Sequence, residues 1–192
     1  MSLSIKPIGP DRLVEYSSVP SVVNVASALE IGGARPGGYT LSEQPLSVPY
    51  VKDYDAFGQG RPLDWPRAFD VSQWAFWIAI DGDDVVGGAA VAPPCRRTVD
   101  DLDHGAVLWD IRVRECHQRQ GIGKRLFLTA AEWAKGERYG TLVIESQNVN
   151  VGACRFYERM GCELRRIDRA AYAHCPGLDN EIMLIWELNL SD

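Results

Sequence analysis

Short apolar runs separated by polar turns mark the second half of the chain. Trp74–Ile80 (WAFWIAI) and Val85–Ala92 (VVGGAAVA) have strand length and are joined by DGDD, whose Asp-Gly step suits a tight turn, so they predict an antiparallel hairpin. A polar loop, PPCRRTVDDLDHG, leads to a third run, Val107–Val113 (VLWDIRV). From Ile122 the period changes: Ile122, Leu126, Ala130 and Trp133 or Ala134 share one face of a helix that runs towards Gly136 and Gly140. TLVIES predicts another strand, giving strand, Gly-rich turn, helix and strand, a right-handed crossover between parallel strands. A second helix, VGACRFYERMG, stops at Gly161. CELRRIDRA and NEIMLIWELNL close the chain as strands, the latter alternating Ile182, Leu184, Trp186 and Leu188. Upstream, DRLVEYSSV and SVVNVASALEI read as shorter helices, and the Gly/Pro/Asp-rich stretch from Gly32 to Asp70 reads as long loops.

The chain has no internal repeat, and its 192 residues fit one domain, 1–192, that buries roughly two thirds of its unfolded surface. No run approaches the roughly 18 apolar residues of a membrane span, and MSLSIKPIGP lacks a signal-peptide core, so a cytoplasmic protein without a membrane partner is expected. Five cysteines, an odd number with no C-x-x-C pair, indicate neither a disulfide framework nor a zinc site. His117 beside Cys116 and His174 beside Cys175 are the nearest to a metal cluster, but neighbours on an extended chain point to opposite faces, so no metal is expected. A net charge of −6 opposes nucleic acid and favours small or cationic partners.

The chemistry concentrates in HQRQGIGKRL, His117–Leu126, where two glycines and several basic residues sit between a strand and an amphipathic helix. A helix N-terminus exposes unpaired N–H groups and carries roughly half a positive charge, so it binds anions. Gly121 and Gly123 would let the backbone of Ile122 and its neighbours approach a diphosphate, with Gln118, Arg119, Gln120 and Lys124 around it. The alternative is a basic solvated turn. A dinucleotide fingerprint fails because the third glycine is replaced by Leu126, and a Walker loop fails on spacing and on the residue after Lys124. Coenzyme A remains.

Gln118-x-x-Gly121-x-Gly123 and Asn150-x-x-Ala153-x-x-x-Tyr157-x-x-x-Gly161-Cys162 resemble the two motifs of the GNAT superfamily of acyl-CoA-dependent N-acetyltransferases, with Cys162 where Phe is usual. The likeness is clear over 74–190 and looser over 1–73, the variable half that faces the acceptor in this superfamily. LWDIRV, ESQNVNVGACRFYERMGCELRRIDRAAY and GGYTLSEQPLSVPYVKDYD are most similar to the streptothricin acetyltransferases, its antibiotic-resistance members. The resemblance implies an α/β (α+β) fold: a mixed, mostly antiparallel sheet of six to seven strands, splayed at the cofactor site and flanked by helices. It implies acetyl-CoA as cosubstrate, with backbone groups of Ile111 and Val113 and the side chain of Asn150 on the pantetheine arm.

An alkyl ammonium with pKa near 10.4 is free amine in only about one part in two or three thousand at pH 7, so a base or water chain must take its proton. Asp110 and Glu145, on the strands either side of the cofactor helix, are the candidates; each is alternatively a paired structural anion, and Asp110 shares a strand face with Arg112. Tyr157 is the candidate partner of the departing thiolate, its alternative being a packed aromatic. Asn150 is alternatively a helix cap alone. Cys154, in mid-helix without a predicted His, favours direct transfer over an acyl-enzyme. For the acceptor, the acids Asp53, Asp55, Asp110, Glu145 and Asp168 suit a small cationic amine, and Tyr39, Tyr50, Tyr54 and Trp65 either line its pocket or pin loops to the core. A protein lysine or N-terminal acetyltransferase and a non-catalytic acyl-CoA sensor stay open, as does a homodimer.

Overall fold

A computed structural model of the chain describes residues 3–35, 38–58, 60–94 and 105–191. Cys95 and most of the polar loop expected after the second strand lie outside these residues. In chain order the elements are β1 (Ser4–Ile8), α1 (Leu13–Tyr16), β2 (Val22–Arg35), β3 (Gly38–Asp53), α2 (Trp65–Ala68), β4 (Ala75–Asp81), β5 (Asp84–Ala92), β6 (Gly105–Val113), α3 (Ile122–Gly136), β7 (Thr141–Gln147), α4 (Val151–Arg159), β8 (Glu163–Asp168) and β9 (Met183–Asn189). They form two compact units: Met1–Val22, Asp53–Leu142 and Leu190–Asp192 in the first, Val23–Lys52 and Val143–Asn189 in the second.

The first unit carries four antiparallel strands in the order β1-β4-β5-β6. The β4–β5 hairpin forms as expected, but its two turn residues are Gly82 and Asp83, since Asp81 pairs with Asp84. Gly82 takes φ +62°, which suits glycine as the first residue of a Gly-X hairpin turn. Two further glycines explain VVGGAAVA. A Cβ on Gly87 would stand 2.9 Å from Arg112 O of β6, 3.1 Å from Leu126 Cδ1 and 3.4 Å from Ile122 Cγ2, whereas one on Gly88 would stand 2.6 Å from the Tyr16 ring. Consecutive strand residues face opposite ways, so α3 lies close against one face of β5 and α1 against the other. On the α1 side Tyr16 meets Trp65 edge-on at 5.5 Å, and Trp65 stacks on Phe76 at 6.1 Å. Trp65 is therefore core, not pocket lining. On the other side α3 buries Ile122, Leu126, Phe127, Ala130, Ala131 and Ala134, the face its period marked.

The second unit holds β7-β9-β8, with β8 and β9 antiparallel, and a separate two-stranded β2–β3 ribbon. With four strands in the first unit, the count of seven meets the expected six to seven. SVVNVASALEI is not a helix but most of β2, and within the stretch from Gly32 to Asp70 expected as loops, the end of β2 and all of β3 (Gly38–Asp53) are strand. Asn148, just past β7, clips the ribbon in place: Leu29 N donates to its backbone oxygen at 2.9 Å and its Nδ2 donates to Leu29 O at 3.1 Å. The same Asn148 also exchanges bonds with Ile182, donating from its N at 3.0 Å and accepting at Oδ1 at 2.8 Å. A buried ion pair joins Lys52 of β3 to Glu181.

Candidate functional site

In the first unit, β6 ends at Val113 and a 3-10 turn, Glu115–His117, leads to α3. Arg119 (φ +59°) and Gly121 (φ +84°) both enter the left-handed region and bend the chain into the helix. Gly121 is the N-cap, and among the described residues no side chain caps the terminus and a Cβ built there would meet nothing within 4 Å. Gln118, Arg119, Gln120, Gly121 and Lys124 are exposed, Gly123 is half-buried and Ile122 is buried as the first core residue of the helix. This end of α3 is thus open, with a positive dipole end and two nearby cations. Both glutamine carboxamides fasten the turn: Gln118 Nε2 donates to Val113 O at 3.2 Å and Gln120 Nε2 to Cys116 O at 3.1 Å. Val113 thereby has one carbonyl lone pair already engaged, while Ile111 pairs across to Ala89.

Cys116 and His117 do not point apart, because their backbone is a turn, and Cys116 Sγ lies 3.0 Å from His117 Nδ1. Among the described residues no group of three or more His, Cys, Asp or Glu gathers in a way that could hold a metal ion.

Asp110 is enclosed by partners in the same unit. Arg112, whose side chain is only 2% exposed, donates from Nε to Asp110 Oδ2 at 2.8 Å and from Nη2 to Oδ1 at 3.0 Å, while Tyr16 donates its phenol to Oδ2 at 2.6 Å. The same guanidinium reaches Asp55 Oδ1 at 2.8 Å and Val19 O at 3.0 Å. Burial, then the Asp110 charge, hold the Tyr16 phenol well above its ordinary pKa, so it stays a donor. Asp53 accepts from Asp55 N at 3.0 Å and Asp168 from Ala170 N at 2.8 Å, both closing turns. Four of the five acids suggested for the acceptor thus close a turn or pair with Arg112.

The fifth, Glu145, lies on β7 in the second unit, half-buried. Tyr172 donates its phenol to Glu145 Oε1 at 2.6 Å, and Gln147 donates Nε2 to the Tyr172 oxygen at 2.8 Å and to Oε1 at 3.4 Å. Burial pushes the Glu145 carboxyl above its ordinary range, against the lowering effect of Tyr172, Gln147 and the charge of Arg166. Tyr39, half-buried as the second residue of β3, is not among these partners. Tyr50 is mostly exposed and Glu181 raises its phenol after burial does.

Asn150 caps α4, its Oδ1 accepting from Ala153 N at 3.2 Å, and its amide hydrogens remain the donor end of the side chain. Tyr157, 6% exposed, lies 5.5 Å from the Phe156 ring and 6.4 Å from Trp186. Cys154 is buried against Ser146 Oγ at 3.4 Å and burial pushes its thiol to about 11, which removes it as a ready nucleophile. Tyr172, Gln147 and Asn148 went unmarked in the sequence, because each acts through a partner far along the chain or through a single side-chain bond.

Comparison with known proteins supplies the frame for these features. The Acetyltransferase (GNAT) family matches residues 46–162, more than half of the chain. Streptothricin acetyltransferase A of Bacillus subtilis (strain 168) is 26% identical over 150 residues, 78% of this chain and 79% of its own. The streptothricin acetyltransferase of Streptomyces lavendulae is 32% identical over 139 residues, 70% and 68% of the two chains. The fold matches that of a Bacillus anthracis str. Ames protein assigned as a streptothricin acetyltransferase and crystallised with acetyl coenzyme A, at TM-score 0.80, 22% identity and coverage of 98% and 99%. The protein belongs to the GNAT family of acetyltransferases.

Proposed function

We propose that this acetyltransferase moves the acetyl group of acetyl-CoA directly onto a primary amine of a small cationic acceptor. The observation that carries the reading is the open, uncapped N-terminus of α3, where Gly121 leaves the helix amides uncovered. Ile122, Gly123 and Lys124 with Arg119 receive the diphosphate, while Gln118 and Gln120 hold the turn in shape. Backbone groups of Ile111 and Val113 and the amide of Asn150 take the pantetheine arm.

The amine nitrogen bonds to the thioester carbonyl carbon, the carbon–sulfur bond breaks, and coenzyme A leaves as its thiolate. Glu145 takes the proton that the nitrogen sheds and returns it to water. Asp110 is already committed to Arg112 and Tyr16, so we assign it to structure. Tyr157 hydrogen-bonds the thiolate as it develops: a phenol near pKa 10 facing a thiol near 8.5 would lose about 2 kcal/mol by transferring its proton outright.

The acceptor we favour is a streptothricin-type antibiotic carrying a β-lysine amine, because the relatives named above are streptothricin acetyltransferases. Thiol release from acetyl-CoA, measured with streptothricin, polyamines, aminoglycosides and lysine peptides, tests this. Streptothricin should stimulate release at least tenfold over the background hydrolysis. Release with peptides alone would assign the chain to protein acetylation, and cofactor binding without release under any amine would make it an acyl-CoA sensor.

A further inference from the structure

Nothing in the GNAT motifs singles out Tyr172, which sits in the run of hydrogen-bonded turns between β8 and β9. It is 8% exposed, and Cys175 N donates to its backbone oxygen at 2.8 Å. From the same segment Arg169 Nη2 donates to Ile31 O of β2 at 3.0 Å. The ring is therefore held at both ends: by this backbone at one and, at its hydroxyl, by Gln147 Nε2 at 2.8 Å and Glu145 Oε1 at 2.6 Å.

Both described bonds to the Glu145 carboxylate fall on one oxygen. Tyr172 and Gln147 converge on Oε1, and among the described residues no hydrogen bond or ion pair ends on Oε2. A carboxylate gripped on one oxygen and open on the other has a fixed plane and one direction from which a proton arrives. We infer that Tyr172 is the positioning residue of the general base, clamping Glu145 Oε1 so that Oε2 is presented to the acceptor amine. The inference rests on the reading of Glu145 as that base.

Other charges face this cluster from the surrounding elements. Arg166 on β8 acts on Glu145 through space, and Glu181 faces Tyr172 while paired with Lys52 of β3. Burial, then the Glu145 charge, keep the Tyr172 phenol far above its ordinary range, so it donates throughout the working pH span. A donor to the ionised carboxylate favours that form, so its removal makes Glu145 hold its proton to higher pH.

The test is the pH profile of kcat with acetyl-CoA and streptothricin for the wild type, Tyr172→Phe, Gln147→Met and Glu145→Gln. The acceptor's own ionisation is common to all four, so differences between profiles belong to the enzyme. Tyr172→Phe should move the acidic limb upwards by about half a pH unit and lower kcat by up to about threefold on that limb, with recovery as pH rises and an unchanged KM for acetyl-CoA. Gln147→Met should move the limb in the same direction by less, which keeps the test open if the Phe variant folds poorly. A uniform loss in both variants, or none, with the limb in place overturns the clamp while leaving the base assignment standing. Persistence of the wild-type limb in Glu145→Gln overturns the base assignment and the clamp together.

Discussion

Each unit contains one half-buried carboxylate from the strands nearest α3 in sequence, and the two are held in different ways. Asp110 has both oxygens bound by a guanidinium that is itself almost wholly enclosed and further bonded to Asp55, Val19 and Gly60. Glu145 has one oxygen bound, and by neutral donors. Breaking a buried ion pair strands the surviving charge, so such a pair resists change. A carboxyl held by a phenol and an amide can take up and release a proton without leaving a partner unmatched. An acid's place on a family strand is thus less informative than the charge of what surrounds it.

The contrast is sharpest if Arg112 is removed. Arg112→Met leaves Asp110 and Asp55 without their cation and should cost about 3–5 kcal/mol in urea unfolding, because both acids then lose a buried partner at once. Exchanging the roles gives the next largest effect: Glu145→Gln should lower kcat by about 100- to 1000-fold with the affinity for acetyl-CoA unchanged by calorimetry, whereas Asp110→Asn should keep kcat within about threefold and lose about 2–3 kcal/mol of stability. The reverse pattern would reassign the base.

The smallest effect concerns stability against pH. Burial raises the folded-state pKa of Glu145, so the folded protein holds that proton more tightly than the unfolded chain does. Its contribution to stability is present below the ordinary carboxylate range and is lost as pH rises through the raised value. Glu145→Gln has no proton to lose, and at pH 7 its Tm should match or exceed that of the wild type by at most a few degrees. A lower Tm at pH 7 with equality at pH 4 would mean that the ionised group is the stabilising form.

The parts of the fold that sequence disclosed are those whose burial follows a local pattern. α3 buries the one face its period marked, and β4 to β6, largely buried on both faces, are mostly apolar runs bounded by turn residues. The β2–β3 ribbon defeated the same reasoning. Val22, Val25, Ala26 and Leu29 have helical spacing, yet pairing with β3 overrides it, and β3 shows almost no alternation because most of its residues are exposed. Pro45 and Pro49, within the stretch expected as loops, are tolerated in a ribbon of only two strands, where one edge of each needs no donor. The Gly-rich turn into α3 was legible because its geometry is local, held within a few residues by Gln118 and Gln120. The Tyr172–Glu145 bond spans 27 positions and the Asn148–Leu29 clip spans 119, and no local pattern carries either.

The bare backbone at Gly87 reaches beyond packing. Its missing methyl is the space into which Ile122 and Leu126 settle, and Ile122 is the first residue of α3. A larger side chain there would press on Arg112 O of β6, 2.9 Å from the Cβ position, and on the head of the helix, displacing the amides we propose receive the diphosphate. On that proposal, affinity for the acyl carrier is adjustable from a buried position on β5 that never meets the carrier itself.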